Sequence, residues 1–352
     1  MRIWRDSIEY MTSSTVKRAA TLHDVAQEAG VSLATASRVL NGSTRKVADS
    51  YRERVEAAAA LLGYSANFSA QATARGSSQA IALLVANIAD SYFSQVAAGI
   101  AHAAEEHNLV MSIGITERSP EREARLIRSL RGQRPSGIVL AASRRTAESS
   151  PALAQALADL ENDGVRVVTL GSPADGVTSR TVGIANREGT HELGQTLAGL
   201  GYREAIVLAA DVGLITSDDR VAGFVSGFTA GGGSEPRILR DELTRDAGYA
   251  LMARALEEGV APGTVVFGAS DVVAFGAMSA VRDAGREVGS DIAIAGFGDI
   301  DTGRDIVPSL TTVRAPLDEL GRQAVAAVMA DDWTDPDPLP VDVIVRDSTP
   351  GR

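Results

Sequence analysis

Residues 21–40 read Thr21-Leu22-His23-Asp24-Val25-Ala26-Gln27-Glu28-Ala29-Gly30-Val31-Ser32-Leu33-Ala34-Thr35-Ala36-Ser37-Arg38-Val39-Leu40, and this stretch decides the fold of the N-terminal region. Leu22, Val25, Ala26 and Ala29 share one face of a short helix. Gly30 stands where the chain turns, in a backbone state that glycine enters without steric cost. Ser32 is placed to cap a second helix by offering its hydroxyl to free backbone N–H groups. In that helix Ala36, Val39 and Leu40 face inward, while Leu33, Ala34, Ser37 and Arg38 share the outward face. A short helix with small residues and one arginine outward fits the B-DNA major groove. The same pattern also suits a helical hairpin whose outward residues are merely solvated.

A third helix is expected over 47–63, with Val55, Ala59 and Leu62 as its apolar stripe and Gly63 as its end. Ala48 stands where a capping side chain is expected, so Asp49 or Ser50 is expected to substitute.

Together these residues resemble the DNA-binding head of the lactose/galactose repressor (LacI/GalR) family. The match runs through Thr21-Leu22, Asp24-Val25-Ala26, Ala29-Gly30-Val31-Ser32, Thr35 and Ser37-Arg38-Val39-Leu40-Asn41-Gly42. It continues in order through Arg52-Glu53-Arg54-Val55, Leu62-Gly63-Tyr64, and Asn67 with Ala70. The resemblance implies that Leu33, Ala34 and Arg38 face base edges, with Arg38 as a guanine reader. Thr21, Ser32, Thr35, Ser37 and Asn41 then serve phosphate contact and register, and Leu22 is counted with the DNA-binding residues. It makes 64–76 a hinge that orders on DNA and touches the minor groove through Asn67, Ala70 and Thr73. Thr73 occupies the place of a wedge residue, commonly Leu, and is a poor intercalator; a plain flexible tether is the other reading of 64–76.

Charge is divided along the chain. The net is −11 over 352 residues. Residues 17–75 hold eight Lys/Arg against five Asp/Glu, a net of +3, and residues 76–352 hold 24 against 38, a net of −14. The positive charge lies where phosphate contact is expected. A head this weakly basic favours a homodimer that presents two. With no cysteine, disulfides, thiolate metal sites and a Cys nucleophile are excluded. No apolar run approaches a membrane span, and residues 1–10 lack the apolar core of a signal peptide. The expectation is a cytoplasmic protein with no membrane partner. Residues 1–16 match nothing in the family pattern and read as a disordered extension, with Met11 an alternative start.

From Gln79 the texture alternates. Strand-like runs appear at 80–86, 109–113, 137–142, 165–170, 205–210, 264–267 and 292–295, and amphipathic helices at 93–107, 120–131, 187–200, 218–231, 245–258 and 272–284. This predicts α/β architecture with parallel sheets covered on both faces. Seven strands suggest two lobes. The resemblance implies a two-lobed, periplasmic-binding-protein-like sensor over 77–352. Its lobe 1 takes in about 77–185 and 315–333, and its lobe 2 about 186–313 and 336–350, with crossings near 184–186, 313–316 and 332–338.

The sensor region holds no dinucleotide or phosphate-loop motif and no nucleophile elbow. Its histidines lack metal-ligand spacing. No cofactor, metal or catalytic residue is therefore expected. A ligand cleft is expected beyond the C-terminal strand ends. Tyr92 and Phe93 form an aromatic pair in the first loop there. Ser217-Asp218-Asp219-Arg220-Val221-Ala222-Gly223-Phe224 resembles a family element that carries Ser ahead of Arg-x-x-Gly-Phe, which makes Arg220 the residue that grips ligand. Ser270 stands where relatives carry Asn, Asp271 follows it, and Asp299 closes the Gly-Phe-Gly-Asp loop at 296–299. Gly298 and Gly171 occupy places where relatives put polar ligand contacts. The chain reads as a dimeric repressor of a palindromic operator, controlled by a sugar or sugar derivative. A nucleoside or phosphorylated metabolite, or a pocket that no longer senses, are the alternatives. A transport solute-binding protein is disfavoured by the head.

Overall fold

Thr21 starts the first helix with a reciprocal cap. Its hydroxyl accepts from the Asp24 amide at 3.3 Å, and the Asp24 carboxylate accepts from the Thr21 N–H at 2.8 Å and the hydroxyl at 2.7 Å, which satisfies free donors at both positions. Helix α1 (Leu22–Glu28) follows, then α2 (Leu33–Leu40) and α3 (Asp49–Leu62). The computed structural model describes residues 20–40, 47–64, 79–142, 145, 150–174 and 177–352. The chain divides after residue 78 into two units.

The first unit has a small core of Val25, Ala26, Ala29, Ala36, Val55, Ala58 and Ala59, with Leu22, Val31, Val39, Leu40, Leu62 and Tyr64 packed around it. Gly30 sits at φ +61°, and a Cβ there would lie 2.6 Å from the Arg54 guanidinium. That guanidinium donates to the Ala29 and Gly30 carbonyls, closing the end of α1 from α3. Gly63 at φ +60° ends α3, as its place after the apolar stripe predicts. The expected replacement cap at the start of α3 is absent: Ala48 is the N-cap and no side chain bonds the first turn. Asp49 is already the first helical residue and lies too far along the chain to take the cap position.

The second unit holds two sheets. The first has strand order β2-β1-β3-β4-β5, from β1 (Ala80–Val85), β2 (Val110–Ile115), β3 (Gly137–Leu140), β4 (Arg166–Leu170) and β5 (Arg180–Val182). All its pairings are parallel. Helices α4 (Ser91–Glu106), α5 (Pro120–Arg131) and α6 (Pro151–Asn162) follow β1, β2 and β3. The second sheet has order β11-β10-β9-β8-β6-β7, from β6 (Ala205–Ala210), β7 (Arg237–Asp241), β8 (Val265–Gly268), β9 (Ala293–Gly298), β10 (Thr311–Arg314) and β11 (Asp342–Ile344). Only β10 with β11 is antiparallel. Its helices are α7 (Asn186–Gly199), α8 (Ile215–Ala230), α9 (Arg245–Glu258), α10 (Asp271–Asp283) and the short α11 (Thr302–Asp305).

Both faces of the central strands are buried, as a parallel sheet between helix layers requires. Ile81, Leu83 and Val85 enter one core cluster, and the alternate Ala82 and Leu84 enter another. Helix α12 (Leu317–Met329) follows β10 of the second sheet yet packs on α4 and on β4 and β5 of the first lobe. The chain returns to the second sheet at β11. Two of the crossing segments pair directly: the Leu339 N–H donates to the Gly183 carbonyl at 2.8 Å and the Ala185 N–H to Leu339 at 2.9 Å.

Eleven strands stand among the described residues where seven are expected. The four extra ones are short or polar. β5 is three residues long, β7 (Arg-Ile-Leu-Arg-Asp) is an edge strand with one buried residue, β10 reads Thr-Thr-Val-Arg, and β11 has no buried residue. Helices α6, α11 and α12 also go beyond the expected set.

Candidate functional site

Ser32 accepts from the Thr35 N–H at 3.1 Å, and the two hydroxyls lie 2.9 Å apart. This cap sets the start of α2. It leaves Leu33 (50 % exposed), Ala34 and Arg38 open to solvent on one face, while Ala36 is fully buried beneath. Ser37 is half-buried on the same side. The outward set expected from the sequence is thus on one surface. Thr21 differs: both its donors go to Asp24, so its hydroxyl starts a helix and has no hydrogen left for a phosphate. Leu22 is half-buried against the small core. Asn41, Asn67, Ala70 and Thr73 lie outside the described residues.

In the second unit the helix starts that follow β1, β2, β6 and β8 converge on one cleft between the lobes. Asp90, Tyr92, Phe93 and Arg118 line it from the first lobe, and Thr216, Arg220, Leu243 and Ser270 from the second. The cavity volume is about 50 Å³. Tyr92 and Phe93 meet edge to face at 5.3 Å. Phe93 is also part of the hydrophobic core, so the pair divides its work between packing and lining.

Arg220 is 5 % exposed. Its Nε donates to Asn186 Oδ1 at 2.8 Å and its Nη1 to the Ala269 carbonyl at 2.8 Å. The guanidinium lies 3.7 Å above the centre of the Phe297 ring, where cation and ring quadrupole attract. Burial pulls its pKa down, opposed by Tyr92 and by the carboxylates of Asp271 and Asp90. Asn186 opens α7 directly after the crossing at Ile184–Ala185, so Arg220 joins the cleft to the point where the chain changes lobe. Asp90 caps α4 by accepting from the Tyr92 N–H at 3.0 Å. Burial raises the Asp90 pKa, with that N–H opposing. Burial likewise raises that of Tyr92 and lowers that of Arg118.

Two expected cleft residues are elsewhere. Asp271 is 1 % exposed and spent: its carboxylate accepts from the Thr312 hydroxyl at 2.6 Å and the Ile300 N–H at 2.9 Å. Asp299, 4 % exposed, takes the Arg314 guanidinium at 2.6 Å together with Arg304 and Arg346. Both carboxylates pin the β9–α11 loop to β10 and the C-terminal segment, and neither lines the cleft. Gly298 faces Asp271, and a Cβ there would meet its carboxylate at 3.3 Å. Gly171 lines a second hollow of about 260 Å³ with Asn186, Arg187, Thr216 and Asp219.

Residues outside the expected set also line the cleft. Four positions before Arg220 stands Thr216, one helical turn away and on the cleft. Ser217 is fully buried and accepts from the Ala210 N–H. The interval counted from Arg220 could have found Thr216. Arg118, Asp90 and Leu243 carry no motif that marks them.

A two-lobed α/β sensor with a buried arginine in its cleft, joined in one chain to a helix-turn-helix unit, defines a ligand-responsive DNA-binding regulator. Residues 21–67 match the model for bacterial regulatory proteins of the lacI family, and residues 195–349 match a periplasmic binding protein-like domain. The chain is 30 % identical over 321 residues to the HTH-type transcriptional repressor CytR of Escherichia coli, covering 91 % of this chain and 92 % of that one. It is 29 % identical to the repressor PurR of Erwinia tasmaniensis, covering 87 % and 88 %. The lac repressor dimer bound to operator and the anti-inducer ONPF superposes with a TM-score of 0.79 at 27 % identity, over 95 % of this chain and all of that one. A complex of the regulator CelR with cellobiose gives 0.66 at 28 % identity, over 94 % and 99 %. The chain belongs to the LacI family of bacterial regulatory proteins.

Proposed function

We propose that this regulator binds a palindromic operator as a homodimer and represses transcription from it, under the control of a small molecule held between the lobes. The exposed face of α2, with Leu33, Ala34 and Arg38 on one side of a buried Ala36, carries the DNA reading. Arg38 presents the planar fork that suits guanine O6 and N7, a contact worth roughly 1–3 kcal/mol of discrimination. Ser32, Thr35 and Ser37 flank it and serve the phosphates. In this reading Asn41 joins the phosphate contacts, and Asn67, Ala70 and Thr73 meet the minor groove. The related lac repressor is a dimer on its operator, which supports two-fold symmetry in protein and site.

Arg220 supports the cleft as the effector site, because it reaches both the cavity and Asn186 at the crossing. Tyr92, Phe93, Thr216 and Ser270 complete the lining. The bound partner of CelR, cellobiose, favours a saccharide or a derivative of one. The effector acts by favouring one closure of the lobes over another.

In vitro selection from random duplexes with the full-length chain tests the DNA reading. The expected product is a palindromic site, and Arg38→Ala is expected to lose roughly 1–3 kcal/mol of preference at one base pair per half-site. An Arg38→Ala protein that binds the selected site with unchanged affinity and selectivity removes Arg38 from the interface.

A further inference from the structure

We propose that the effector carries an anionic group, a carboxylate or a phosphate, that seats against Arg118 and the Ser270 hydroxyl in the cleft. This rests on the cleft being the effector site. Among the described residues, two buried side-chain polar atoms have no hydrogen-bond partner, Arg118 Nε and Ser270 Oγ. Both belong to residues that line this one cavity. Native proteins leave few such atoms unsatisfied, because each loses its hydration without a replacement. Guanidinium nitrogen only donates, and a hydroxyl that does not cap its own helix is free to donate. What completes the pair is an acceptor.

Charge decides which kind of acceptor. Two guanidinium groups, Arg118 and Arg220, line the cavity against one carboxylate, Asp90, while Glu242 and Asp271 act on them from outside the lining. Among the described residues neither arginine has a carboxylate within ion-pair distance. The backbone adds to the excess of positive charge. Asp90 and Ser270 are the N-caps of α4 and α10, Thr216 lies in the first turn of α8, and Arg118 precedes Ser119, the N-cap of α5. Four helices therefore begin at or beside the cleft, where their unpaired N–H groups favour negative charge. Glu117 and Arg118 are held at φ +52° and +54°, a costly backbone state for side chains of this size. A sugar hydroxyl would supply acceptor lone pairs but leave the excess charge buried. An anion neutralises it, and its hydrogen bonds are roughly twice as strong.

The test is thermal-shift and calorimetric binding on the full-length chain with matched probes: glucose, gluconate and glucose 6-phosphate, and ribose against ribose 5-phosphate, with inorganic phosphate alone. The expected result is that an anionic member binds roughly tenfold or more tightly than its neutral counterpart. Gluconate and glucose 6-phosphate separate carboxylate from phosphate. Arg118→Gln is expected to abolish the preference without lowering the melting temperature of the free protein, Arg118→Lys to keep it, and Ser270→Ala to weaken it. Neutral and anionic probes that bind equally, with Arg118→Gln without effect, overturn the anion but leave the cleft as the effector site. A set in which no anion gives a shift that Arg118→Gln removes overturns the proposal as well. Selected-operator binding, measured on the same protein, stands or falls independently of both.

Discussion

Asp271 shows how a residue chosen for ligand contact can serve the frame instead. Its carboxylate is buried, bonded to Thr312 and the Ile300 N–H, and pushed up to about 6 by burial, with those two hydrogen bonds opposing. A folded-state pKa above the unfolded value means that the native state binds the extra proton. The stability it contributes is complete below about pH 4 and is lost as pH rises through about 6. The stability of wild type relative to Asp271→Asn is therefore expected to fall between pH 4 and pH 7, by an amount on the order of 2–3 kcal/mol. Denaturant melts at the two pH values check it, and a pH-independent difference removes Asp271 as the source. The sequence could not separate this role from ligand contact, since the loop motif that holds Asp271 says nothing of Thr312, 41 residues on. Arg220 was legible because its interval to Gly223 and Phe224 repeats a pattern. Arg118 was not, because a lone arginine after a strand resembles any solvated charge.

Helices pair across glycines. A Cβ on Gly227 of α8 would lie 1.9 Å from the His191 carbonyl of α7, one on Gly276 of α10 2.0 Å from Arg245 of α9, and one on Gly99 of α4 2.3 Å from Asp318 of α12. These contacts are with backbone, which cannot rotate away. Gly227→Ala is expected to cost about 3 kcal/mol or more through overpacking. Gly199→Ala, at the end of α7 with no atom near the added Cβ, is expected to stay within about 1 kcal/mol of wild type on the stabilising side. Chemical unfolding of both variants checks the contrast, and equal losses would show that the close approach is not limiting. At this scale the sequence was most readable where burial was two-sided or amphipathicity strong. Helices α5 and α9 lie at the expected residues, 120–131 and 245–258, and β6 at 205–210. β7 and β11 escaped notice because an edge strand with Arg and Asp outward lacks the apolar run by which the central strands are recognised.

Over the whole molecule, the division of charge between a basic N-terminal region and an acidic remainder was readable without any structure, and so was the alternation that builds two parallel sheets. Their strand order was not, because pairing between distant segments leaves no local pattern. The size of the cleft is a property that only coordinates supply. About 50 Å³ is far below the roughly 300–1,000 Å³ of ligand pockets, so a molecule of saccharide size is expected to need the lobes to part. Encounter and capture then become separate events in time. In rapid mixing, the observed rate is expected to rise with effector concentration and then level off at the frequency of opening, on the microsecond-to-millisecond scale of domain motion. A rate that stays linear in concentration would mean that the entrance is always open. The regulator would answer a sudden pulse of effector no faster than its own lobes breathe, whatever the concentration outside.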